Sequence, residues 1–155
     1  MIISTKIRYG LRALIEIAAA PENEGILQKN IALNQDISIK YLDHIIRDLK
    51  NAGLICNFKN KKSGYRLCKL PKDINIYLVY LAFEPELCLI ECFDSNSFCA
   101  RHDECATQPV WRELNRRMID FMNSVSLQDI IDGKYKQVID IHTDKPKQIR
   151  HDMMF

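Results

Sequence analysis

Apolar residues recur every third or fourth position through most of this chain, and each run stops at a residue that ends helices. Ile7, Leu11, Leu14, Ile15 and Ala18 form the first stripe. The spacing predicts a helix over residues 4–20, closed by Pro21, Asn23 and Gly25. Ile31 and Ala32 in a polar setting predict a short second helix from Gln28 to Leu33, with "NQD" as the following turn. Ser38 can cap a third helix, in which Leu42, Ile45, Ile46 and Leu49 share one face and Gly53 supplies the stop. "LICNF" and "YRLCKL" then read as two strands joined by "KNKKSG", with Gly64 for the turn.

The second half changes character. "INIYLVYLAFEP", introduced by Pro71 and Asp73, is apolar almost all round and predicts a buried helix ended by Glu84 and Pro85. After a polar stretch, Pro109 suits the first position of a long helix with Trp111, Leu114, Met118, Phe121, Met122 and Val125 at threes and fours. A stripe of that length at the edge of a small domain needs a partner surface, and a second copy of the same helix supplies one; packing on its own domain is the alternative. Ser126 can cap a last turn with Leu127, Ile130 and Ile131, and from Gly133 onward the chain reads as a polar, mobile tail. No internal repeat or low-complexity tract is present.

The order of elements carries the first functional reading. Two helices joined by a short turn match the arrangement that lays its second helix in the DNA major groove. The outer face of that second helix holds Lys40, His44, Arg47 and Lys50. The hairpin behind it carries Lys59, Lys61 and Lys62 at its tip, where they can neutralise phosphates beside the groove. A single basic amphipathic helix is usually a solvated surface helix, whereas this succession of elements is hard to obtain by accident. The expected fold is therefore mainly α with a small β wing. It divides into a winged helix-turn-helix DNA-binding domain at 1–83, a cysteine-rich loop at 84–108, a dimerisation helix with a short terminal helix at 109–131, and a tail at 132–155.

Composition bounds the rest. With 155 residues, 47% hydrophobic and 27% charged, the chain is read as one soluble globular domain or a small domain with an appended element. The net charge of +2 decides nothing; its placement does. Arg8, Arg12 and Glu16 interrupt the N-terminal apolar stretch, so neither a signal peptide nor a membrane span is expected, and the protein is placed in the cytoplasm.

In a reducing compartment clustered cysteines point to metal or redox chemistry rather than structural disulfides. "ECFDSNSFCARHDEC", residues 91–105, holds Cys92, Cys99 and Cys105, with Cys88 just upstream. The gaps from Cys88 are three, six and five residues. Only Cys88 with Cys92 comes near a zinc knuckle; the two wider gaps, unlike the tight runs of ferredoxins, suit a bulkier centre such as an iron-sulfur cluster. Cys56 and Cys68, one on each wing strand, are expected to be buried as small hydrophobes, although they could face each other across the hairpin; Cys88 in "ELCLIE" is also expected to be buried.

"STKIRYGLRALIEIA", "ISIKYLDHIIRDLKNAGLI", the "SGYRLCK" wing exit, the three spaced cysteines and the tryptophan helix together resemble the IscR, NsrR and RirA group of bacterial transcription regulators, the Rrf-two family, over residues 1–131. The resemblance implies a homodimeric winged-helix repressor or activator bound to double-stranded DNA, with no membrane partner, its affinity set by an iron-sulfur cluster of two or four irons that senses iron, nitric oxide or redox state. It implies that Cys92, Cys99 and Cys105 hold the cluster, that Ser38, Lys40, Tyr41, Asp43 and His44, with Arg47 on the same face, belong to the recognition helix, and that Lys59 occupies the basic wing position. Two positions depart from the family pattern: Gln108 stands where a ligating histidine is found in one branch, and Arg8 where an acidic ligand from the partner subunit is found in another. The fourth ligand is left among His102, Asp103, Glu104, Cys88, Gln108 and a small exogenous molecule. The wing is also lysine-rich where the family is glycine-rich, which favours phosphate contact over minor-groove insertion. A cluster-free regulator of the same fold acting through a protein partner, and a zinc or thiol redox protein, are the rival readings. No catalytic base is placed beside an exposed thiol, so the chain is not read as an enzyme.

Overall fold

The computed structural model describes residues 3–21, 24–59, 63–90 and 104–136. Its elements are α1 (Thr5–Ala19), α2 (Gln28–Gln35), α3 (Ile39–Asn51), β1 (Ile55–Asn57), β2 (Tyr65–Leu67), a 3₁₀ turn (Pro71–Asp73), α4 (Ile76–Leu81), α5 (Gln108–Ser124) and α6 (Leu127–Ile131). Mostly helical with one two-stranded sheet, it has the expected fold class.

α1 begins where the Ser4 hydroxyl accepts the Ile7 N–H, and it buries Ile7, Gly10, Ala13, Leu14 and Ile17. α3 begins the same way at Ser38 and buries Leu42, Ile45, Ile46 and Leu49. Ala13, Leu14 and Ile17 of α1 and the α3 face meet with Ile31, Ile37, Leu54, Ile55, Ile74, Val79 and Leu127 in one core. Each fully buried leucine or isoleucine there contributes about 1.5–3 kcal/mol. Gly53, in the left-handed region at φ +68°, follows the C-cap of α3.

α2 has little amphipathic pattern of its own, burying only Ile31 and Ala32, and side chains of α1 hold it in place. Arg12 Nε donates to Gln35 Oε1 at 2.7 Å and its Nη2 donates to the Gln35 carbonyl, while Glu16 accepts from Asn34 and Gln35. That grip explains why Asn34 and Gln35 are helical rather than part of the turn expected from "NQD". Only Asp36, at φ +51°, makes the left-handed turn into α3.

β1 and β2 pair antiparallel, with Ile55 opposite Leu67, Cys56 opposite Arg66 and Asn57 opposite Tyr65. Ile26 adds a third edge, exchanging both backbone hydrogen bonds with Tyr65 at 2.9 and 3.0 Å. Gly64 makes this possible: at φ +85°, a Cβ there would lie 2.3 Å from the Ile26 carbonyl oxygen.

The apolar run expected to be a buried helix ending at Glu84 and Pro85 is shorter and less buried. Asn75 caps α4 by accepting the Leu78 N–H at 2.8 Å, the helix stops at Leu81, and only Val79 and Tyr80 are buried in it. Beyond it Phe83 fits against Gly10, where a Cβ would stand 2.4 Å from its ring, and the chain leaves the helical path.

α5 lies on α4. Met122 is its one buried residue, joined by half-buried Met118 and Ile119 in a second cluster with Ile7, Tyr80 and Leu87. Val125, the last residue of the expected stripe, is buried as the C-cap, whereas Trp111 is 43% exposed, Leu114 44% and Phe121 56%, with Val110 beside them at 62%. Pro109 sits one residue later than expected, since Gln108 opens the helix. α6 starts in a capping box between Ser126 and Asp129, and Leu127 enters the main core, its N–H donating to the Ile74 carbonyl at 2.7 Å. Residues 133–136, expected to begin the tail, form a turn that sets Tyr135 edge-on to Phe121 at 6.2 Å; the remainder of the expected tail lies outside the described residues. Among the described residues no helix is long and apolar enough to cross a membrane.

Candidate nucleic-acid interface and metal centre

The sequence of α3 sorts its residues by face. With Leu42, Ile45, Ile46 and Leu49 turned inward, Lys40, His44, Arg47 and Lys50 are left exposed on the other side. Arg47 is hydrogen-bonded to His44 Nδ1, so the two side chains form one surface group. Ser38 accepts the Tyr41 N–H at 3.2 Å as the N-cap, which leaves its O–H free to donate outward. Tyr41 is half-buried and meets Tyr9 of α1 edge-on, at 5.9 Å and 84°. The Tyr9 ring in turn lies under the Arg12 guanidinium, 5.0 Å from its centroid. Arg12 thereby links Tyr41 of α3 to the end of α2, fixing α2 and α3 from α1. Lys6 of α1 adds a weak exposed ion pair to Asp48 at 3.7 Å.

A cleft between α2, α3 and the wing joins the two basic elements. Gln28 donates to Asp43 and accepts from the Tyr65 hydroxyl at 3.3 Å, and the Lys50 ammonium stands 5.9 Å from the Tyr65 ring centroid. Burial first, and then the Asp43 carboxylate, pushes the Tyr65 phenol up, so it stays a neutral donor. At the wing, Lys59 is exposed at φ +50° with its ammonium 5.1 Å from the Phe58 ring centroid. Lys61 and Lys62 lie outside the described residues.

The wing cysteines differ from expectation. Cys56 is half-buried and Cys68 is exposed, because the hairpin is only three residues deep and has no layer outside it. Partial burial first, then a hydrogen bond with the Cys56 thiol, pushes the Cys68 thiol up to about 11. Cys88, also expected to be buried, is exposed, with its thiol donating to the Ile90 carbonyl at 3.0 Å. Leu87 takes the buried position beside it.

Of the residues expected to hold a metal, Cys105, Glu104, Gln108 and Cys88 are described; Cys92, Cys99, His102 and Asp103 are not. Cys105 is half-buried just ahead of the N-cap of α5, its Sγ 3.4 Å from the Thr107 hydroxyl, and its carbonyl accepts the Gln108 N–H at 3.2 Å. A helix N-terminus favours a nearby thiolate, so the setting of Cys105 fits a metal ligand. Gln108 is the first helical residue, and Glu104 is exposed beside Cys105. The entrance to the cysteine segment is fixed to the same helix by a residue that sequence reasoning missed. Asn115 accepts the Leu89 N–H at 2.9 Å and donates to the Leu87 carbonyl at 3.1 Å. The available signal was a lone amide inside an otherwise apolar stripe. Both ends of the segment are therefore held on α5. Among the described residues, no three His, Cys, Asp or Glu side chains converge on a point that could hold an ion.

Residues 3–133 match the family model Rrf2, described as an iron-dependent transcriptional regulator. Protein rrf2 of Nitratidesulfovibrio vulgaris is 34% identical over 131 residues, spanning 84% of this chain and 87% of its own length. Among solved structures, IscR of T. potens superposes with a TM-score of 0.68 at 25% identity, covering 88% of this chain and 90% of its own. CymR, the global cysteine regulator of B. subtilis, does so with the same TM-score at 26% identity, covering 85% and 97%.

Proposed function

We propose that this chain, which belongs to the Rrf2 family of transcriptional regulators, is a homodimeric DNA-binding regulator whose affinity is set by an iron-sulfur cluster. The observation that carries the reading is the anchoring of both ends of the cysteine segment on α5, through Asn115 and through the turn that holds Cys105. Cys92, Cys99 and Cys105 would hold the cluster, which when bound supplies a centre that responds to iron, oxygen or nitric oxide. His102, Cys88 and Gln108 are the candidates for the remaining position.

The described residues set out how this state could reach DNA. Cys105 leads directly into the first turn of α5; α5 packs on α4 through Met118, Ile119 and Met122; and Ile7 of α1 belongs to the same cluster. α1 in turn fixes α2 and α3 through Arg12, Glu16 and Tyr9. Lys40, His44, Arg47 and the Ser38 hydroxyl would reach base edges or phosphates from α3, with Tyr41 positioning the helix. Lys59, Lys61 and Lys62 would neutralise backbone phosphates from the wing. The exposed stripe Val110, Trp111, Leu114 and Phe121 would pair two copies, so that the spacing of the two recognition helices follows the placement of α5.

Protein purified without oxygen should contain iron and sulfide and absorb visible light, and Cys99→Ala should lose both. A fully coloured Cys99→Ala protein would sink the ligand assignment. A second reading, a cluster-free regulator acting through a protein partner, is favoured by the equally close superposition on CymR. Iron-free protein with full DNA affinity after anaerobic purification would select it.

A further inference from the structure

We infer that Ile39 is a specificity-determining residue of the DNA-reading face, where its side chain packs on the C5-methyl group of a thymine in the major groove. The inference deepens the DNA-binding reading, on which it rests, and is independent of any cluster.

The other aliphatic residues of α3, Leu42, Ile45, Ile46 and Leu49, are all buried. Ile39 is 57% exposed and belongs to neither apolar cluster. It is the first residue of the helix, directly after the Ser38 cap. Side chains on a helix lean toward its N-terminus, so Ile39 projects past the start of α3. A recognition helix reads base edges with that end. One turn further along the same edge, the Asp43 carboxylate is engaged by the Gln28 amide of α2, which leaves an aliphatic surface at the head of this edge. Lys40, exposed beside Ile39, supplies a cation there to hold the DNA close.

Among the four unmodified bases, thymine alone offers a methyl group in the major groove. Against adenine, guanine or cytosine an isoleucine would cover donors and acceptors that it cannot satisfy, and leaving such groups unpaired is costly. An aliphatic side chain at this position therefore selects thymine by burial on one side and by unmet hydrogen bonds on the other. Lys40, His44 and Arg47 cannot make that selection, because cations and donors gain nothing from a methyl group. Leu33 is more exposed still, at 81%, but it stands on α2 and not on the helix that reads bases, so it provides the control.

The test uses the full-length protein and a DNA fragment it selects from a random pool, with each thymine replaced in turn by deoxyuridine. That replacement removes the methyl group and keeps every hydrogen-bonding atom. Wild type should lose about fourfold in affinity, or about 0.8 kcal/mol, at one thymine for each recognition helix bound. Ile39→Ala, which changes an exposed residue and so leaves the fold standing, should bind the thymine and uracil forms of that position equally and match the wild type on a scrambled fragment. Leu33→Ala should keep the fourfold loss. A wild type that binds the fragment but is indifferent to every thymine methyl, or an Ile39→Ala protein that retains the loss, would overturn the role of Ile39 and leave DNA binding intact. A wild type that binds no DNA would overturn the DNA-binding reading and this inference with it.

Discussion

α3 and α5 carry apolar stripes of equal regularity, yet α3 buries Leu42, Ile45, Ile46 and Leu49 while α5 buries Met122 alone. Periodicity says which residues share a face; it does not say what that face meets. α3 finds α1, α2 and β1 already in place. Beyond its contact with α4, α5 leaves Val110, Trp111, Leu114 and Phe121 exposed among the described residues, with the Tyr135 ring set edge-on against Phe121. The apolar face of α3 is thus covered by its own chain, whereas most of the apolar face of α5 stays open among the described residues.

Substitutions on the two stripes should separate accordingly. Leu42→Ala should cost about 2–5 kcal/mol in denaturant unfolding, because it opens a cavity in a fully enclosed site. Phe121→Asp should leave the fold standing and weaken self-association at least tenfold, or about 1.4 kcal/mol, in sedimentation equilibrium. If sedimentation of that variant matches the wild type, α5 is not a partner face and the comparison fails. Ser38→Ala should cost about 1 kcal/mol through loss of the α3 cap, with self-association unchanged.

The smallest effect is a pH dependence at the join between the halves. Asp129 is held down to about 2, from an ordinary value of 3.8, first by the Ser126 backbone N–H, then by the Ser126 hydroxyl and Lys134. A carboxylate with a lowered folded value contributes stability that is fully present above the unfolded value and is lost as pH falls through the folded one. Asp129→Asn should therefore melt below the wild type at pH 7, and the gap should close as pH falls from about 4 toward 2. A gap that is constant with pH would show that the carboxylate charge plays no part.

α1 and α3 were legible because local chemistry and tertiary need agree there: Ser38 caps α3, Gly53 follows its end, and the two stripes meet in one core. α2 outran its expected end because Arg12 and Glu16, on a different helix, supply partners to Gln35 and Asn34. α4 fell short because hydropathy cannot show that Phe83 has a slot waiting at Gly10. Burial of Cys68 and Cys88 was misread for a related reason: an alternating strand has an inside only where a second layer covers it. At the candidate site, the cysteines were visible as spacing, whereas Asn115, which holds the segment's entrance, looked like a blemish in an apolar stripe. Polar side chains that organise backbone at long range leave little periodic trace.

If a cluster on the cysteine segment governs this regulator, the state of that segment sets DNA affinity. Fluorescence anisotropy on one anaerobic preparation, with a DNA fragment selected by the protein from a random pool, tests it directly when measured before and after the iron and sulfide are removed. At fixed salt the dissociation constant should change at least tenfold, about 1.4 kcal/mol of coupling, and Cys99→Ala should bind like the stripped protein throughout. Equal affinities before and after removal would show that the cysteine segment does not control DNA binding.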